Sequence, residues 1–258
     1  MTKAKKSFGQ HFLINEHVAE RIAYSLDMTS EVKNVLEIGP GKGVLTKYLL
    51  EQDINLKVVE ADRDMVDYLS QNYPKLDGNI IYLDFLKLNM HKVFDGEPFL
   101  LIGNYPYNIS SQILFKMIKS KELIPEMVGM FQKEVSDRVI APHGSKTYGV
   151  VSILAQAFYS GNTVVKVSPG SFNPPPKVNS SVIRLERKSN IELPCSESML
   201  RTVVKLAFSQ RRKMMRNTLK SIVSNPEMLE SDLFKMRPEQ LSVQDFIDLT
   251  TKIEEDNA

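Results

Sequence analysis

Cysteine, histidine and long apolar segments are scarce in this sequence, and each scarcity excludes a class of protein. The single cysteine, Cys195, cannot form an internal disulfide, which excludes a disulfide-stabilised scaffold and fits a reducing compartment. The four histidines are scattered, and no pair has the spacing of zinc ligands, so we expect no metal site. No apolar run has the length of a membrane span, and none resembles a signal peptide. We therefore expect a cytoplasmic protein.

Acidic residues are missing from one segment, although the formal net charge of the chain is only +2. Between Met199 and Pro226 there are seven basic residues and no acidic residue, whereas nine acidic and three basic residues follow Pro226. A nearly neutral protein can therefore carry one strongly basic face, which indicates an anionic partner. With 42% hydrophobic and 25% charged residues, the composition is that of a folded chain.

Short apolar strands alternate with helical segments after a basic arm at residues 1–14. The predicted strands are the apolar runs 35–38, 56–60, 80–83, 99–102 and 127–131. This alternation predicts an α/β fold whose parallel sheet is covered on both faces. Two further runs, 163–167 and 181–185, flank a proline-rich loop and are predicted to form antiparallel strands.

A polar linker at 188–198 separates this pattern from a C-terminal segment with helical apolar spacing. The sequence therefore predicts two domains. The first, 1–188, is the α/β domain together with the basic arm, and the second, 189–258, is a small all-helical domain.

The first strand ends in the glycine-rich turn Glu37-Ile38-Gly39-Pro40-Gly41-Lys42-Gly43. Glycines between a strand and a helix let the backbone approach a ligand closely. A dinucleotide fingerprint, G-x-G-x-x-G, would need its last glycine at Val44, whereas this turn reads G-x-G-x-G after a glutamate. That arrangement resembles Rossmann-like methyltransferases that use S-adenosyl-L-methionine, although glycine-rich turns alone occur in many folds.

Carboxylates stand at the ends of the next two strands. Glu60 ends the second strand, where it is placed to accept hydrogen bonds from two ribose hydroxyls. Asp84 follows the third strand, where it can accept from an adenine amino group. Either acid alone is more often a solvated residue. Three features at three successive strand ends instead predict that Gly39, Gly41, Glu60 and Asp84 bind the cofactor.

The fourth strand is followed by Asn104-Tyr105-Pro106-Tyr107, the most informative tetrapeptide of the chain. A plain turn also contains asparagine and proline but requires no aromatic residue after the proline. Chemistry on an adenine amino group does require an aromatic residue, which can hold the base. The amino nitrogen is a weak nucleophile and needs orientation rather than a strong base. The Asn104 side-chain oxygen and the Tyr105 backbone carbonyl are each placed to accept one amino hydrogen. Pro106 stiffens the backbone, and Tyr107 can stack on the base.

An adenine inside a duplex cannot reach such a site, so the target base is expected to be unpaired or flipped out. Phe172 lies in a loop stiffened by three prolines and is the candidate for a second stacking surface. Ordinary packing of the ring within the loop is the alternative.

Motifs along nearly the whole chain resemble those of one family. They are Phe8 to Leu13, Glu37 to Gly43, Glu60-Ala61-Asp62, Asp84, Asn104 to Ser110, Gln132-Lys133-Glu134-Val135, the Phe172 loop, and Phe208-Ser209-Gln210-Arg211-Arg212-Lys213. Together they resemble the ribosomal RNA adenine N6,N6-dimethyltransferases, and the bacterial small-subunit type in particular.

The resemblance implies dimethylation of two adjacent adenines in a hairpin loop near the 3′ end of 16S rRNA, within a small ribosomal subunit or its precursor. It implies a role in ribosome biogenesis. It also implies a cofactor site lined by His11, Leu13, Gly39, Glu60, Asp84 and Asn104, and a base site at Tyr107 and Phe172. Tyr105 stands where the family usually has an aliphatic residue, and His11 where many members have asparagine. Both residues keep their expected roles, since Tyr105 acts through its backbone and His11 retains hydrogen-bonding capacity.

The basic segment is the predicted docking surface for RNA. If 200–222 is one helix, a basic side forms at about 100° per residue, with Arg201, Lys205, Arg212, Arg216 and Lys220 opposite an apolar side. The predicted RNA-binding residues are Arg201, Lys205, Arg211, Arg212, Lys213 and Arg216. A solvated charged face is the ordinary alternative, but uninterrupted like charges favour a phosphate backbone as the partner.

Three other functions share part of this pattern. A large-subunit rRNA adenine methyltransferase that confers antibiotic resistance has the same cofactor and base motifs, but Lys177-Val178-Asn179-Ser180-Ser181-Val182 favours the small-subunit type. A non-catalytic RNA-binding assembly factor would be expected to have lost the Asn104 or glycine motif, and both are intact. A DNA adenine methyltransferase is disfavoured by the whole-chain resemblance alone.

Overall fold

The computed structural model describes residues 11–27 and 31–257, and the chain divides into two compact units. The first unit comprises Met1–Ser136 and Gly161–Arg187, and the second comprises Asp137–Ser160 and Lys188–Ala258. The C-terminal edge of the first unit lies next to the predicted boundary at 188/189. Residues 137–160, however, belong to the second unit, because a helix within this segment packs on a C-terminal helix.

The strands follow the predicted apolar runs with small shifts at their ends. They are β1 (Phe12–Leu13), β2 (Asn34–Ile38), β3 (Asn55–Glu60), β4 (Ile80–Tyr82), β5 (Leu100–Asn104), β6 (Glu126–Gln132), β7 (Tyr159–Val167), β8 (Phe172–Asn173) and β9 (Ser180–Arg187).

The helices of the described residues alternate with the strands in the first part of the chain, and the two longest lie in the C-terminal part. They are α1 (Glu16–Ala23), α2 (Thr46–Leu49), α3 (Arg63–Asn72), α4 (Ser110–Lys119), α5 (Lys133–Val139), α6 (Val150–Gln156), α7 (Glu197–Ser209), α8 (Met215–Leu219), α9 (Asp232–Lys235) and α10 (Val243–Asp256). None of those in the described ranges is long and apolar enough to cross a membrane.

Seven strands form one sheet in the order β4-β3-β2-β5-β6-β9-β7. The five strands from β4 to β6 are parallel, and β9 runs antiparallel to β6. From β2 the chain moves outward through β3 and β4, and then returns to the other side of β2 as β5. The strand order therefore reverses between β2 and β5, which is where open α/β sheets bind their ligands. The predicted Rossmann-like fold class is confirmed.

The segment before α1 is attached to the proline-rich loop. β1 pairs with β8 in antiparallel register, with Leu13 opposite Phe172. The Asn15 side chain then accepts a hydrogen bond from the Val18 N–H at 3.2 Å and caps α1. The cap and the pairing fix residues 11–14 over the carboxyl end of the sheet, although most of the basic arm lies outside the described residues.

The second unit has a helical core built on α7 and α10. α7 buries Leu200, Val203, Val204 and Ala207, and α10 buries Phe246, Ile247, Leu249 and Ile253. Phe208 stacks on Phe246 with ring centroids 6.0 Å apart, and Tyr148 meets Phe208 edge-on at 6.2 Å. The unit contains the all-helical segment that the sequence predicted.

The prediction of one helix across residues 200–222 is wrong. α7 ends at Ser209, Gln210 departs from the helical conformation (φ −133°, ψ 65°), and α8 begins at Met215. The cause is tertiary: the guanidinium of Arg211 donates to the carbonyls of Lys146 and Ser145 at 2.5 and 2.9 Å, which draws the chain away from the helix axis. The basic residues therefore do not form one continuous helical stripe.

Candidate active site

A cavity of about 700 Å³ opens at the carboxyl ends of β2 and β5. Its wall combines the turn after β2, the ends of β3 and β4, the tetrapeptide after β5, and the segment around β1. Pockets of this size bury a ligand of a few dozen atoms. The predicted cofactor residues that line it are His11, Leu13, Gly39, Gly41, Glu60, Asp84 and Asn104, so the fold brings together residues from the whole first unit.

The glycines of the turn after β2 are required by the backbone. Gly39, Gly41 and Gly43 have φ angles of +63°, +55° and +77°, a region that residues with a side chain rarely adopt. A Cβ on Gly43 would lie 2.5 Å from the Tyr73 ring, and one on Gly41 would lie 3.1 Å from the Phe12 ring. The turn thus presents bare backbone, against which the Phe12 ring packs within the cavity wall.

Glu60 is fixed at the end of β3 by backbone donors. Its Oε2 accepts from the Gly41 N–H at 3.2 Å, and its Oε1 accepts from the Ala61 and Asp62 N–H groups at 2.8 and 2.9 Å. Burial raises the pKa of this carboxyl, and the three backbone hydrogen bonds oppose that shift by stabilising the charged form. The carboxylate is held in one orientation and retains lone pairs for further donors.

Glu37 is a second carboxyl in the wall that sequence reasoning did not assign to the site. It is 1% exposed, and the Thr46 hydroxyl donates to its Oε2 at 2.6 Å. Burial raises its pKa to about 8, and the negative charge of Glu60 contributes to the shift. The signal in the sequence was the glutamate that precedes the glycine turn, at the buried end of β2.

Asp84 caps the 3₁₀ turn Phe85–Lys87 that follows β4. Its side chain accepts from the Leu86 N–H at 2.9 Å, which leaves its second oxygen for the cavity. The Lys116 ammonium on α4 donates to the carbonyls of Leu86 and Leu88 at 2.8 and 2.6 Å. The loop that carries Asp84 is therefore tied to the helix that follows the tetrapeptide.

Asn104 ends β5 with its amide oriented by the chain's own N-terminal segment. Its Nδ2 donates to the His11 backbone carbonyl at 3.1 Å. A carbonyl can only accept, so the amide nitrogen must face His11, and Oδ1 is left as an acceptor on the cavity side. Among the described residues, no donor reaches this oxygen.

Tyr107 is held at the cavity by its ring and its hydroxyl. The hydroxyl lies 2.5 Å from Ser180 Oγ, and burial raises its pKa. The His11 ring stacks on Tyr107 with centroids 5.4 Å apart and planes at 29°. His11 Nδ1 donates to the Pro174 carbonyl at 2.8 Å, which connects Tyr107 to the proline-rich loop.

Comparison with known proteins agrees with this geometry. The model of the ribosomal RNA adenine dimethylase family matches residues 1–255. The chain belongs to the ribosomal RNA adenine dimethylase family. It is therefore a methyltransferase, and the resemblance drawn from its motifs is confirmed.

Relatives of known sequence or structure align with nearly the whole chain. The ribosomal RNA small subunit methyltransferase A of Flavobacterium johnsoniae is 52% identical over 254 residues, 98% of this chain and 97% of that protein. Its namesake from Bacteroides thetaiotaomicron is 52% identical over 256 residues, 99% and 96% of the two chains. A solved dimethyladenosine transferase from Plasmodium falciparum superimposes with a TM-score of 0.81 at 26% identity, over 96% of this chain and 98% of that one.

Phe172 does not line the cavity of this dimethylase, contrary to the role predicted for it. Its ring is 3% exposed and packs in the hydrophobic core with Leu13, its partner in the β1–β8 pairing. A buried ring offers no face to a base, so the alternative of ordinary packing describes the structure. The neighbouring Asn173 is the residue of this loop that reaches the cavity.

The basic residues of the second unit differ in what they contact. Arg211 is engaged by the two carbonyls described above, and Arg216 lies 3.8 Å from Glu230. Arg212 and Lys213, in the turn between α7 and α8, are exposed and form no ion pair within the described part of the chain. Arg201 and Lys205 are exposed on α7.

Proposed function

We propose that this enzyme transfers methyl groups from S-adenosyl-L-methionine to the N6 amino groups of two adjacent adenines in a hairpin loop near the 3′ end of 16S rRNA. The orientation of Asn104 carries the proposal, because a fixed amide oxygen aimed into the cavity is the acceptor that an amino group requires. The relatives from Flavobacterium johnsoniae and Bacteroides thetaiotaomicron are named as small-subunit methyltransferases, which supports the choice of substrate. An RNA in ribosome biogenesis fits the cytoplasmic location expected from the sequence.

The residues around the glycine turn fit S-adenosyl-L-methionine. The Glu60 carboxylate would accept from the two ribose hydroxyls, and Asp84 would accept from the adenine amino group of the cofactor. Gly39 and Gly41 leave room for the cofactor against bare backbone, and the Glu60 carboxylate, held by three backbone N–H groups, places an acidic group beside a cationic ligand. When bound, the cofactor would supply an electrophilic methyl group on a sulfonium sulfur, which leaves as a neutral thioether.

The residues after β5 would orient the target base. Asn104 Oδ1 accepts one amino hydrogen and the Tyr105 carbonyl accepts the other, which directs the nitrogen lone pair toward the methyl group. That carbonyl accepts no hydrogen bond from any described residue, so it is available for the amino group. Tyr107 stacks on the base, which must be unpaired or flipped out to enter.

The exposed cations of the second unit would hold the RNA backbone. Arg212 and Lys213 are the strongest candidates because no acidic residue among the described residues neutralises them, with Lys205 as a further contact. Arg201, Arg211 and Arg216 take part less directly, because each already has an intramolecular partner.

The test is methylation of purified ribosomal subunits from a strain that lacks the activity. The enzyme is incubated with labelled cofactor and small or large subunits in parallel, and the rRNA is digested and mapped by mass. Two adjacent dimethyladenines in small-subunit rRNA are expected. Label in large-subunit rRNA alone would support the resistance-type enzyme, and label in neither would support a non-catalytic assembly factor.

A further inference from the structure

Two glycines face each other in the middle of the sheet, directly before the tetrapeptide. Gly103 on β5 and Gly129 on β6 are partners in the parallel register, and both are buried. Neither has a positive φ, so the backbone does not require glycine at either position. Glycine in the interior of a strand weakens it and often marks a place where another group approaches closely. We call the space above this pair the glycine slot.

The ring of Tyr105 fills the glycine slot. A Cβ on Gly129 would lie 2.2 Å from Cε2 of this ring and 2.8 Å from the Phe131 ring. A Cβ on Gly103 would lie 2.7 Å from Cε1 of the Tyr105 ring and 2.6 Å from the Ile38 carbonyl oxygen, so the neighbouring strand also requires glycine at 103. The ring is 1% exposed and meets Phe131 edge-on with centroids 5.1 Å apart. Its hydroxyl reaches only a long contact, 3.4 Å, with the Val128 carbonyl. The fit therefore rests on the shape of the ring.

Packing of the Tyr105 ring in the glycine slot constrains the backbone of Asn104 and Tyr105, because the chain leaves the sheet at Tyr105. Asn104 is the last residue paired with β6, and the Tyr105 N–H makes a final 3.3 Å hydrogen bond to the Met130 carbonyl. Pro106 follows and has no N–H with which to bond the sheet. The side chain of Tyr105 thus anchors the residue whose carbonyl is assigned to the base.

We propose that Tyr105 is a positioning residue, whose ring in the glycine slot sets the placement of its own carbonyl and of Asn104 toward the target amino group. Gly129 is glycine because the ring needs its space, so the two residues form a matched pair. This inference rests on the proposed function for its effect on rate, whereas the matched packing stands without it.

The pair is tested with Gly129→Ala, Tyr105→Leu, and the double variant. The alanine methyl forces the ring to move, and a displacement of this kind is expected to lower kcat about 10- to 100-fold. Leucine leaves part of the slot empty, so Tyr105→Leu is expected to lower kcat about 10-fold. In the double variant the alanine methyl occupies space that leucine vacates, so kcat should exceed that of Gly129→Ala. Gly149→Ala is the matched control, since a Cβ there meets nothing within 4 Å and the backbone is extended.

Three measurements separate positioning from general damage. Cofactor affinity by calorimetry should stay within about 2-fold of wild type in every variant, and the share of monomethylated product should rise as kcat falls. Urea unfolding should show the same non-additive rescue in the double variant, without any substrate. A double variant no better than Gly129→Ala in either measurement overturns the inference, as does cofactor affinity that falls in step with kcat. If wild type methylates no RNA while the unfolding rescue persists, the proposed function fails and the matched pair stands.

Discussion

The turn after β2 and the tetrapeptide after β5 occupy adjacent strand ends of one sheet, yet they are built in opposite ways. The turn is shaped by its own backbone, with three glycines at positive φ, and its Gly41 N–H donates to the Glu60 carboxylate at the neighbouring strand end. The tetrapeptide is shaped by distant parts of the chain. His11 orients Asn104, Ser180 and His11 hold Tyr107, and Gly129 makes room for Tyr105.

This difference indicates which half of the reaction, cofactor binding or orientation of the base, is more sensitive to substitution. A locally built turn tolerates change elsewhere in the chain, so cofactor binding should survive most substitutions outside it. A site held from a distance depends on each of its supports, so the orientation of the base should be lost more easily than the cofactor. Each prediction below tests whether rate and cofactor affinity separate in this way.

The largest effect is expected for Asn104→Ala. The target amino group loses a fixed acceptor, and loss of one such preorganised contact costs on the order of 100-fold in rate. Cofactor affinity should change far less, because the glycine turn and Glu60 are untouched. Single-turnover methylation and calorimetry on the same preparation measure both. Asn72→Ala, an exposed asparagine at the end of α3, is the control. A wild-type rate in Asn104→Ala would remove the residue from the catalytic scheme.

The next largest effect is expected for Glu60→Ala, which should lower cofactor affinity more than the methylation rate. Two ribose hydroxyls lose a charged acceptor worth about 1.5–3 kcal/mol, which corresponds to roughly 10- to 150-fold weaker cofactor binding. The rate at saturating cofactor should change less than the affinity. Glu97→Ala removes an exposed carboxylate with no side-chain contact and should bind like wild type. Unchanged calorimetric affinity would contradict the assignment, and a variant that unfolds would show that Glu60 mainly holds the turn.

The same contrast between the glycine turn and the tetrapeptide explains which parts of the site the sequence could predict. A parallel sheet brings the carboxyl ends of its strands to one edge, so the positions of Glu60, Asp84 and Asn104 could be predicted from the strand pattern alone. The supports of the tetrapeptide could not. Asn104 and His11 are 93 residues apart, and no local pattern connects them. Glycine at 129 gave no signal either, because its reason is the Tyr105 ring.

Tyr107→Leu and Phe172→Leu form the third test, since both were predicted to hold the base and the structure separates them. Tyr107 lines the cavity, so the loss of its stacking face, worth about 1–3 kcal/mol, should slow methylation roughly 5- to 150-fold with stability intact. Phe172 is buried, so its replacement should lower the urea midpoint before it affects the rate. Rates measured below each variant's unfolding transition decide the point. A stable Phe172→Leu protein that is slower than Tyr107→Leu would restore Phe172 to the base site.

The basic segment shows the limit of periodicity. Apolar spacing correctly predicted the buried face of α7, because that face packs within its own unit. It also predicted that the helix continues to residue 222, whereas α7 ends before Met214 and leaves that side chain 40% exposed. The break depends on the two carbonyls that Arg211 reaches, 65 and 66 residues earlier in the chain. The neighbouring cations therefore differ in their contacts: Arg211 donates to two backbone carbonyls, whereas Arg212 is exposed.

The smallest effect, and the one most specific to RNA, is expected for Arg212→Glu with Lys213→Glu. Each phosphate contact lowers log K by roughly 0.7 per decade of salt for single strands and 0.9 for duplex, so losing two should flatten the slope by about 1.4–1.8. Filter-binding titrations against salt measure this slope for both proteins. Lys75→Glu with Lys92→Glu, at two exposed lysines of the first unit, changes the net charge equally and controls for it.

Cofactor affinity should be the same in all three proteins, because the glycine turn lies in the other unit and is built from its own backbone. Coincident salt curves for wild type and Arg212→Glu/Lys213→Glu would reject the turn between α7 and α8 as the docking surface. A steep loss in the Lys75→Glu/Lys92→Glu control would instead show that RNA responds to the overall charge of the enzyme. A flattened slope confined to the first variant assigns the phosphate contacts to the cations that no acid neutralises, and separates RNA docking from both halves of the catalytic cavity.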